Sequence, residues 1–491
     1  MKNSHLLTLS LGMLLSLCAS SSSWARENFT ISSNKEHEVV LLNHGLGSLE
    51  KRLELIEGAT HSIDVEYFIY RTDKSAKIFT QALVKKAREG VKVKMLLDYF
   101  MVKSDLDVFY THELEKEGIE VKYYNTTSTL NLFSGQYRNH RKVLIIDGKE
   151  AITGGRNIGD EYFDMHGEYN FLDRDIYIKG EIVDSIKKSF DKTFNSKLSE
   201  KVKRDKMPDR DDSVYNLGDA NFDFVRFDQD LGKWKKREQL AKDFIKKDLE
   251  KSVQDSVRSL GMETLANEYR GICKKINFYS EYPDLGKHNR RNDRVLKYDL
   301  FARISNAKEK ILIDSPYFII NNELGDNLKA ALDKSIKVEL LTNSLNSTDA
   351  IYVYANFDSN ILPWIQNGLD AYIYKGARDQ RNYKVVEDLS GKAKFGVHSK
   401  TFVFDDKDVI IGTYNVDPRS ANYNSEMYIV CEDNQELAKA VTDNIHERVE
   451  MSFKLNGKED LKTLEFYNVN FTKKVLYYLT KIPAEIFAYL L

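Results

Sequence analysis

Cysteine is almost missing from this chain: Cys18, Cys273 and Cys431 are the three in 491 residues. No Cys pair at short spacing, no H-E-x-x-H and no Cys/His cluster with ligand spacing occurs, so neither a metal nor another cofactor is expected. An excess of one charge is missing too. Lys and Arg total 73 against 75 Asp and Glu, a net charge of −2, which excludes a globally basic nucleic-acid binder and leaves room only for local basic patches. Long apolar runs are confined to Leu6 to Leu17, shorter than the roughly 20 residues that span a bilayer. With Lys2 before it and a Ser-rich stretch ending Ser23-Trp24-Ala25 after it, this run reads as a signal peptide, residues 1-25, cleaved after Ala25. An uncleaved anchor is the rival reading. Cys18 follows Leu17, which is too large for the usual lipidation site. An exported protein is expected, and export permits a Cys273–Cys431 bridge. Two cysteines cannot be shown to meet from sequence, and two separate buried thiols are the expectation.

What the chain does contain is a repeated pattern. Asn139-His140-Arg141-Lys142 leads to Asp147-Gly148, and Val397-His398-Ser399-Lys400 leads to Asp405-Asp406, so each copy reads H-x-K-x-x-x-x-D. Seventeen residues after each His comes an Asn that closes a Gly-led segment, Gly154 to Asn157 and Gly412 to Asn415. One copy would arise by accident in on the order of one chain in twenty of this length. Two copies carrying the same second element point to one active site built from two halves, with His140, Lys142, Asp147 and Asn157 from one and His398, Lys400, Asp405 and Asn415 from the other.

The repeat extends upstream. Ser62 to Tyr70 reads as a strand, Lys77 to Glu89 as a helix stopped by Gly90, and Val91 to Leu97 as a second strand, a βαβ unit whose short connections imply parallel pairing. The order returns as a strand over Lys310 to Ile320, a helix over Leu324 to Lys334 and a strand over Ile336 to Leu341, with Tyr67-Phe68-Ile69 matched to Tyr317-Phe318-Ile319. The second copy continues through a helix broken near Pro363 into the strand Leu369 to Tyr374. Each motif reads as a β-hairpin, with Val143 to Ile146 and Thr401 to Phe404 as first strands and Ala151 to Thr153 and Val409 to Ile411 returning. Alternation puts His and Lys of each motif on one face and the Asp at the turn, where it would hold the hairpin rather than touch substrate.

These readings divide the chain into an α/β lobe over 26-198, a charged, mostly helical insert over 199-293, a second α/β lobe over 294-472 and an apolar tail over 473-491. The 42% hydrophobic and 30% charged residues suffice for two full cores. The insert carries Lys233-Trp234-Lys235-Lys236-Arg237 and, at its far boundary, Arg290-Arg291-Asn292-Asp293-Arg294. It is expected to be a solvated helical segment; the functional alternative turns the basic clusters and Trp234 toward anionic lipid head groups. The tail either packs on the second lobe or lies in a membrane interface.

Two His and two Lys meeting across a lobe interface suit phosphodiester chemistry without a metal. One neutral imidazole attacks phosphorus, the other, protonated, donates to the departing oxygen, and Lys142, Lys400, Asn157 and Asn415 meet the charge on the phosphoryl oxygens. The residues resemble the H-x-K-x4-D-x6-G-S-x-N pattern of the phospholipase D superfamily, twice, with Gly155 and Thr413 where that pattern has Ser. The segments Gly154 to Phe163, Leu341 to Leu345 and Gly412 to Glu426 are similar to bacterial cardiolipin synthases of the type lacking paired N-terminal membrane helices, over about Gly45 to the C-terminus. The resemblance implies two phospholipase D-like α-β-α lobes related by a pseudo-twofold and transfer of a phosphatidyl group to phosphatidylglycerol, phosphatidylethanolamine being a further candidate substrate. It also implies His140 as nucleophile and His398 as acid/base. Glu161 and Glu426 are candidates to orient a His on the opposite lobe. The competing readings are a phospholipase D or phosphodiesterase that uses water, a nuclease included, and a non-enzymatic lipid binder. Both half-sites lie on one chain, so a monomer at the periplasmic face of a membrane, contacting phospholipid rather than nucleic acid, is expected.

Overall fold

A computed structural model gives the fold over residues 29–127, 134–216, 222–282, 294–376 and 393–486. The signal peptide expected over 1–25, residues 290–293 of the second basic cluster and the last five residues lie outside the described residues.

Each half builds a mixed nine-stranded sheet. The first runs, edge to edge, Ser199–Glu200, Ile119–Tyr124, Lys92–Asp98, Ser62–Tyr67, Val143–Ile146, Glu150–Gly154, Asp175–Lys179, His37–Leu42, Arg270–Cys273. The second runs Phe29–Ser33, Ile276–Ser280, Met427–Cys431, Asp408–Gly412, Thr401–Phe404, Lys310–Asp314, Lys337–Asn343, Leu369–Tyr374, Ser452–Leu455. Both βαβ units form, and their strands pair in parallel. The helix Lys74–Arg88 is capped by Asp73, whose carboxylate accepts from Ala76 N, and it buries Ala76, Phe79, Leu83 and Val84 against the sheet. Its counterpart Asn322–Asp333 is capped by Asn321 and buries Leu324, Leu328 and Ala331.

Alternation along the hairpin strands splits the core into layers. Leu144 and Ile146 face the outer cluster of the first half, Phe402 and Phe404 that of the second. Val143, Ile145 and Val403 point into a third cluster shared by both sheets and the helices Ile182–Phe194 and Gln435–Glu450. The two halves are therefore joined by a buried apolar layer, which fixes the two motifs relative to each other.

Four readings of the sequence need correction. The strand register pairs Glu66 with Val143 and Asp314 with Thr401, each three residues past its His, so Tyr67 corresponds to Ser315 and not to Tyr317. The aromatic triplets match by coincidence of composition. The lobe boundaries are also crossed: Phe29–Ser33 pairs with Ile276–Ser280 of the second sheet, while the insert supplies Ser199–Glu200 and Arg270–Cys273 to the first. Backbone groups at a sheet edge seek any available ladder, and chain order does not restrict which.

Cys273 and Cys431 form a disulfide, overturning the expectation of separate thiols. The chain passes from the first sheet to the second between Cys273 and Ile276, and Ile276 is the register partner of Cys431, so the crossing brings the sulfurs together. Trp234, finally, does not face lipid. It is buried against Phe109 with ring centroids 5.5 Å apart, and its Nε1–H donates to Asp205 O at 3.0 Å. Arg237 beside it is paired with Asp107 at 2.8 Å.

The insert helix Lys251–Ala266 packs on Gly45–Gly58, and Gly261 permits the approach, since a Cβ there would lie 2.9 Å from Glu50 Cβ and 3.1 Å from Leu46 O. The C-terminal helix Phe471–Ile486 buries Tyr477 and Ala484 in the second-half core and leaves Phe471, Leu479, Ile482 and Ile486 exposed. Tyr477 and Lys481 anchor it to Asp358, at 2.6 and 2.9 Å. Among the described residues no helix is long and apolar enough to cross a membrane.

Candidate active site

The two motifs exchange partners across the halves. His140 N donates to Ser425 O at 3.0 Å and His398 N to Leu172 O at 2.8 Å. The short strand Lys394–Val397 leading to His398 pairs in parallel with Tyr169–Leu172 of the first half. Side chains repeat the exchange: His140 Nδ1 donates to Glu426 Oε2 at 2.9 Å and to Thr413 O at 3.0 Å, and His398 Nδ1 donates to Asp173 Oδ2 at 2.5 Å. These partners only accept, so each Nδ1 carries the hydrogen, and Nε2 of the neutral ring holds the lone pair. Both rings are buried and line the same cavity of about 570 Å³.

Glu426, one of the two acids expected to orient an opposite-lobe His, is hydrogen-bonded to His140 at 2.9 Å. Glu161 pairs instead with Arg71 at 3.2 Å, and Asp173 is the carboxylate bonded to His398. Register shows why the two acids correspond. Gly154 pairs with Asp175 and Gly412 with Tyr428, so Asp173 and Glu426 each stand two residues before the partner of the motif glycine. The loops preceding them differ, with 16 residues from Asn157 to Asp173 and 11 from Asn415 to Glu426, which hides the equivalence in the sequence. A carboxylate next to the strand that follows each hairpin was the available signal.

The same comparison explains the two departures from the Ser pattern. Thr413 Oγ1 donates to Glu426 Oε2, so this hydroxyl braces the acid and is not turned to a phosphate. At Gly155 a Cβ would land on the Asp173 carboxylate. The first half has room for a shorter acid held by Arg174 N at 2.8 Å, and none for a serine.

Asp147 and Asp405 stand apart from the cavity. Asp147 accepts from the backbone amides of Thr60, His61 and Ser62 at 2.7 to 3.0 Å, and Asp405 from those of Lys308, Glu309 and Lys310 at 2.8 to 3.1 Å. Each ties its hairpin turn to the start of the neighbouring central strand, where its own φ is left-handed, 52° and 51°. Burial works against the Asp147 charge, but the amide and hydroxyl donors outweigh it and hold the carboxyl down to about 2. Neither lines the cavity.

Lys142 and Lys400 are buried directly behind the imidazoles, each donating Nζ to the carbonyl of its own motif His, Lys142 at 2.6 Å. Neither lines the open cavity. Burial lowers both, Lys142 to about 7. Asn157 and Asn415 do line it; Asn157 Oδ1 accepts from Ile69 N at 3.0 Å, while Asn415 Oδ1 is buried without a partner among the described residues. Burial, with the nearby lysine charges, holds His140 down to about 4 despite Glu426, and lowers His398 despite Asp173. The carboxylates, in turn, are kept below their usual range by the imidazoles although burial opposes it. Burial thus biases both rings toward the neutral form, in which Nε2 carries the lone pair. Among the described residues no three His, Cys, Asp or Glu side chains gather in a metal-holding group.

Comparison with known proteins agrees with this arrangement. Residues 53–194 and 300–449 match the family model described as cardiolipin synthase, PLD-like domain. An uncharacterized protein of Helicobacter pylori is 30% identical over 87% of this chain and 82% of its own length. Cardiolipin synthase C of Escherichia coli is 28% identical over 80% of each chain, and a major cardiolipin synthase of Bacillus subtilis 26% identical over 87% of this chain and 72% of its own. The fold is shared with a phosphatidylserine synthase of Haemophilus influenzae, with a TM-score of 0.62, 14% identity and coverage of 92% of this chain and 95% of that one. A duplicated fold with one histidine motif in each half, matched along most of its length, identifies the chain as a phospholipid enzyme that belongs to the phospholipase D superfamily, in its cardiolipin synthase family.

Proposed function

We propose that the protein transfers a phosphatidyl group to the hydroxyl of phosphatidylglycerol through a phosphohistidine. The observation that carries this is the pair of buried imidazoles on one cavity, each with Nδ1 tethered to a carboxylate of the other half, which leaves Nε2 for the substrate. His140, in the N-terminal motif that the family resemblance assigns to the covalent step, is the nucleophile: its Nε2 attacks phosphorus as the bond to the departing headgroup oxygen breaks. His398 gives that oxygen a proton. A bound phosphodiester anion favours the imidazolium this requires, and Asp173 stabilises it. In the second step His398 Nε2 takes the proton of the acceptor hydroxyl, whose oxygen attacks phosphorus while the P–N bond to His140 breaks. Lys142 and Lys400 supply positive charge behind the rings, and the Asn157 and Asn415 amides supply polar contacts in the wall.

A membrane location on the exported side is proposed with this activity. The exposed apolar face of Phe471–Ile486 supports it, as does the place of that helix beside the cavity. Lys473 Nζ donates to Asn346 O and Thr348 O at 3.2 and 2.6 Å, next to cavity-lining Asp349, and the helix beneath, Ile351–Asn360, starts with Tyr352 and Val353 of the wall. Lipid entering from the surface would reach the imidazoles directly.

The deciding experiment incubates purified protein with phosphatidylglycerol in mixed micelles, with and without phosphatidylethanolamine, and weighs the lipids by mass spectrometry. Cardiolipin is expected, and its dependence on phosphatidylethanolamine identifies the donor. Phosphatidic acid alone would make the protein a phospholipase D and overturn the transferase reading.

A further inference from the structure

We propose that Arg138 forms an anion subsite beside His140 that seats the phosphodiester of the acceptor phospholipid. The inference rests on the phosphatidyl transfer proposed above and names what distinguishes the acceptor from water.

Arg138 lines the cavity and is 1% exposed. Its Nη1 donates to Asp98 at 3.3 Å, whereas Nε and Nη2 have no hydrogen-bond partner among the described residues. Burying guanidinium donors without acceptors is unfavourable, so a site that keeps them is arranged for a ligand that brings the acceptors. The other arginine of the wall, Arg419, is tied to Gln136 at 3.1 Å.

The second half shows that the fold does not need this charge. Leu96 is the partner of Glu66 as Leu341 is of Asp314, so Asp98 corresponds to Asn343. Asp98 accepts from Asn139 N at 3.0 Å, and Asn343 accepts from Val397 N at 2.8 Å, so both hold the residue before the motif His. The position before that is Arg138 in one half and Gly396 in the other, where a Cβ would meet the Ser347 backbone and the Tyr169 hydroxyl. A neutral amide and a glycine do the same backbone work. The Asp98–Arg138 pair is therefore an addition confined to one wall.

Charge decides which substrate uses it. Asp349, a cavity-lining carboxylate close enough to His398 to act on its charge, accepts from the Tyr317 hydroxyl at 3.0 Å and would repel a second anion. The phosphate under attack lies between the imidazoles. An acceptor whose hydroxyl approaches that phosphorus while its own phosphodiester sits a glycerol away must neutralise the second charge inside the same cavity. The planar fork of Arg138 suits two phosphoryl oxygens at once. Water or a small neutral alcohol makes no use of it.

The test offers the protein phosphatidylglycerol with ethanol as a competing neutral acceptor and compares cardiolipin with phosphatidylethanol. In Arg138→Gln the ratio of the two products is expected to fall about 30-fold through a higher KM for phosphatidylglycerol, the size of a lost charge-assisted pair. Arg138→Lys should recover part of it. The double variant Asp98→Asn/Arg138→Gln copies the neutral second half and should show the same fall with a normal melting temperature. An equal loss of both products, or an unchanged ratio in the double variant, would overturn the subsite. Wild-type protein that forms neither product is a different failure: it removes the transferase reading and the acceptor subsite with it.

Discussion

The two halves carry the same hairpin, the same His-x-Lys and the same central βαβ unit, yet their walls differ. Around His140 stand Arg138, Phe68 and Phe100; around His398 stand Tyr162, Tyr317 and Asp349. The acid that orients His140 is a glutamate braced by Thr413, and the one that orients His398 is an aspartate with Gly155 below it. Duplication supplies two imidazoles with equivalent tethers. In the proposed mechanism, the unequal walls would let one act as nucleophile and the other as proton carrier on an asymmetric pair of lipids.

The largest effects should come from the imidazoles. His140→Ala and His398→Ala are each expected to lower turnover at least about 10⁴-fold. Intact mass separates them: only His398→Ala should retain a phosphatidyl adduct on the peptide holding residue 140. An adduct at residue 398 in His140→Ala would reverse the assignment of roles.

Next come the tethers. Asp173→Asn and Glu426→Gln should each cost about 10²- to 10⁴-fold in kcat by favouring the wrong tautomer, while Glu161→Gln changes it less than about threefold. The same pair sharpens the pH profile. Protonation of His140 removes the attacking lone pair, and burial sets that event near 4. The acid limb of kcat/KM should therefore lie well below the ordinary histidine value. Glu426 raises His140, so Glu426→Gln should move the limb lower still. A limb near 6.5 would contradict the neutral buried nucleophile.

Restoring the family serine tests the compensation between halves. Thr413→Ser keeps the hydroxyl on Glu426 and should retain activity within about fivefold, whereas Gly155→Ser displaces Asp173 and should lose about 100-fold. Similar tolerance at both positions would show that the halves are not compensated in this way.

Two smaller effects concern how the halves are held and where they dock. Cys273→Ser removes the link between the sheets, which are already joined by a buried apolar layer, and should lower unfolding free energy by about 2–5 kcal/mol in a urea titration. Leu479→Ser/Ile482→Ser, on the exposed face of the C-terminal helix, should alter stability by less than about 0.5 kcal/mol. It should nonetheless reduce pelleting with anionic vesicles; undiminished pelleting would move the docking surface elsewhere.

The sequence by itself determined the local elements and the two His-x-Lys motifs that meet at the cavity. Hairpins, βαβ units, caps and the His-x-Lys spacing depend on neighbours within a few residues, so periodicity and turn chemistry reveal them. The place of Asp147 at a turn was legible for the same reason, although its partners, the amides entering the adjacent strand, were not. Only the tertiary structure decided what crosses between halves. Asp173 was hidden by a longer preceding loop, the matching of Ser315 to Tyr67 by similar aromatic triplets, the Cys273–Cys431 bridge by a sequence separation of 158, and the burial of Trp234 by the basic residues around it. Such contacts depend on sheet register and on where the chain changes sheet, and a one-residue change in either alters every partner.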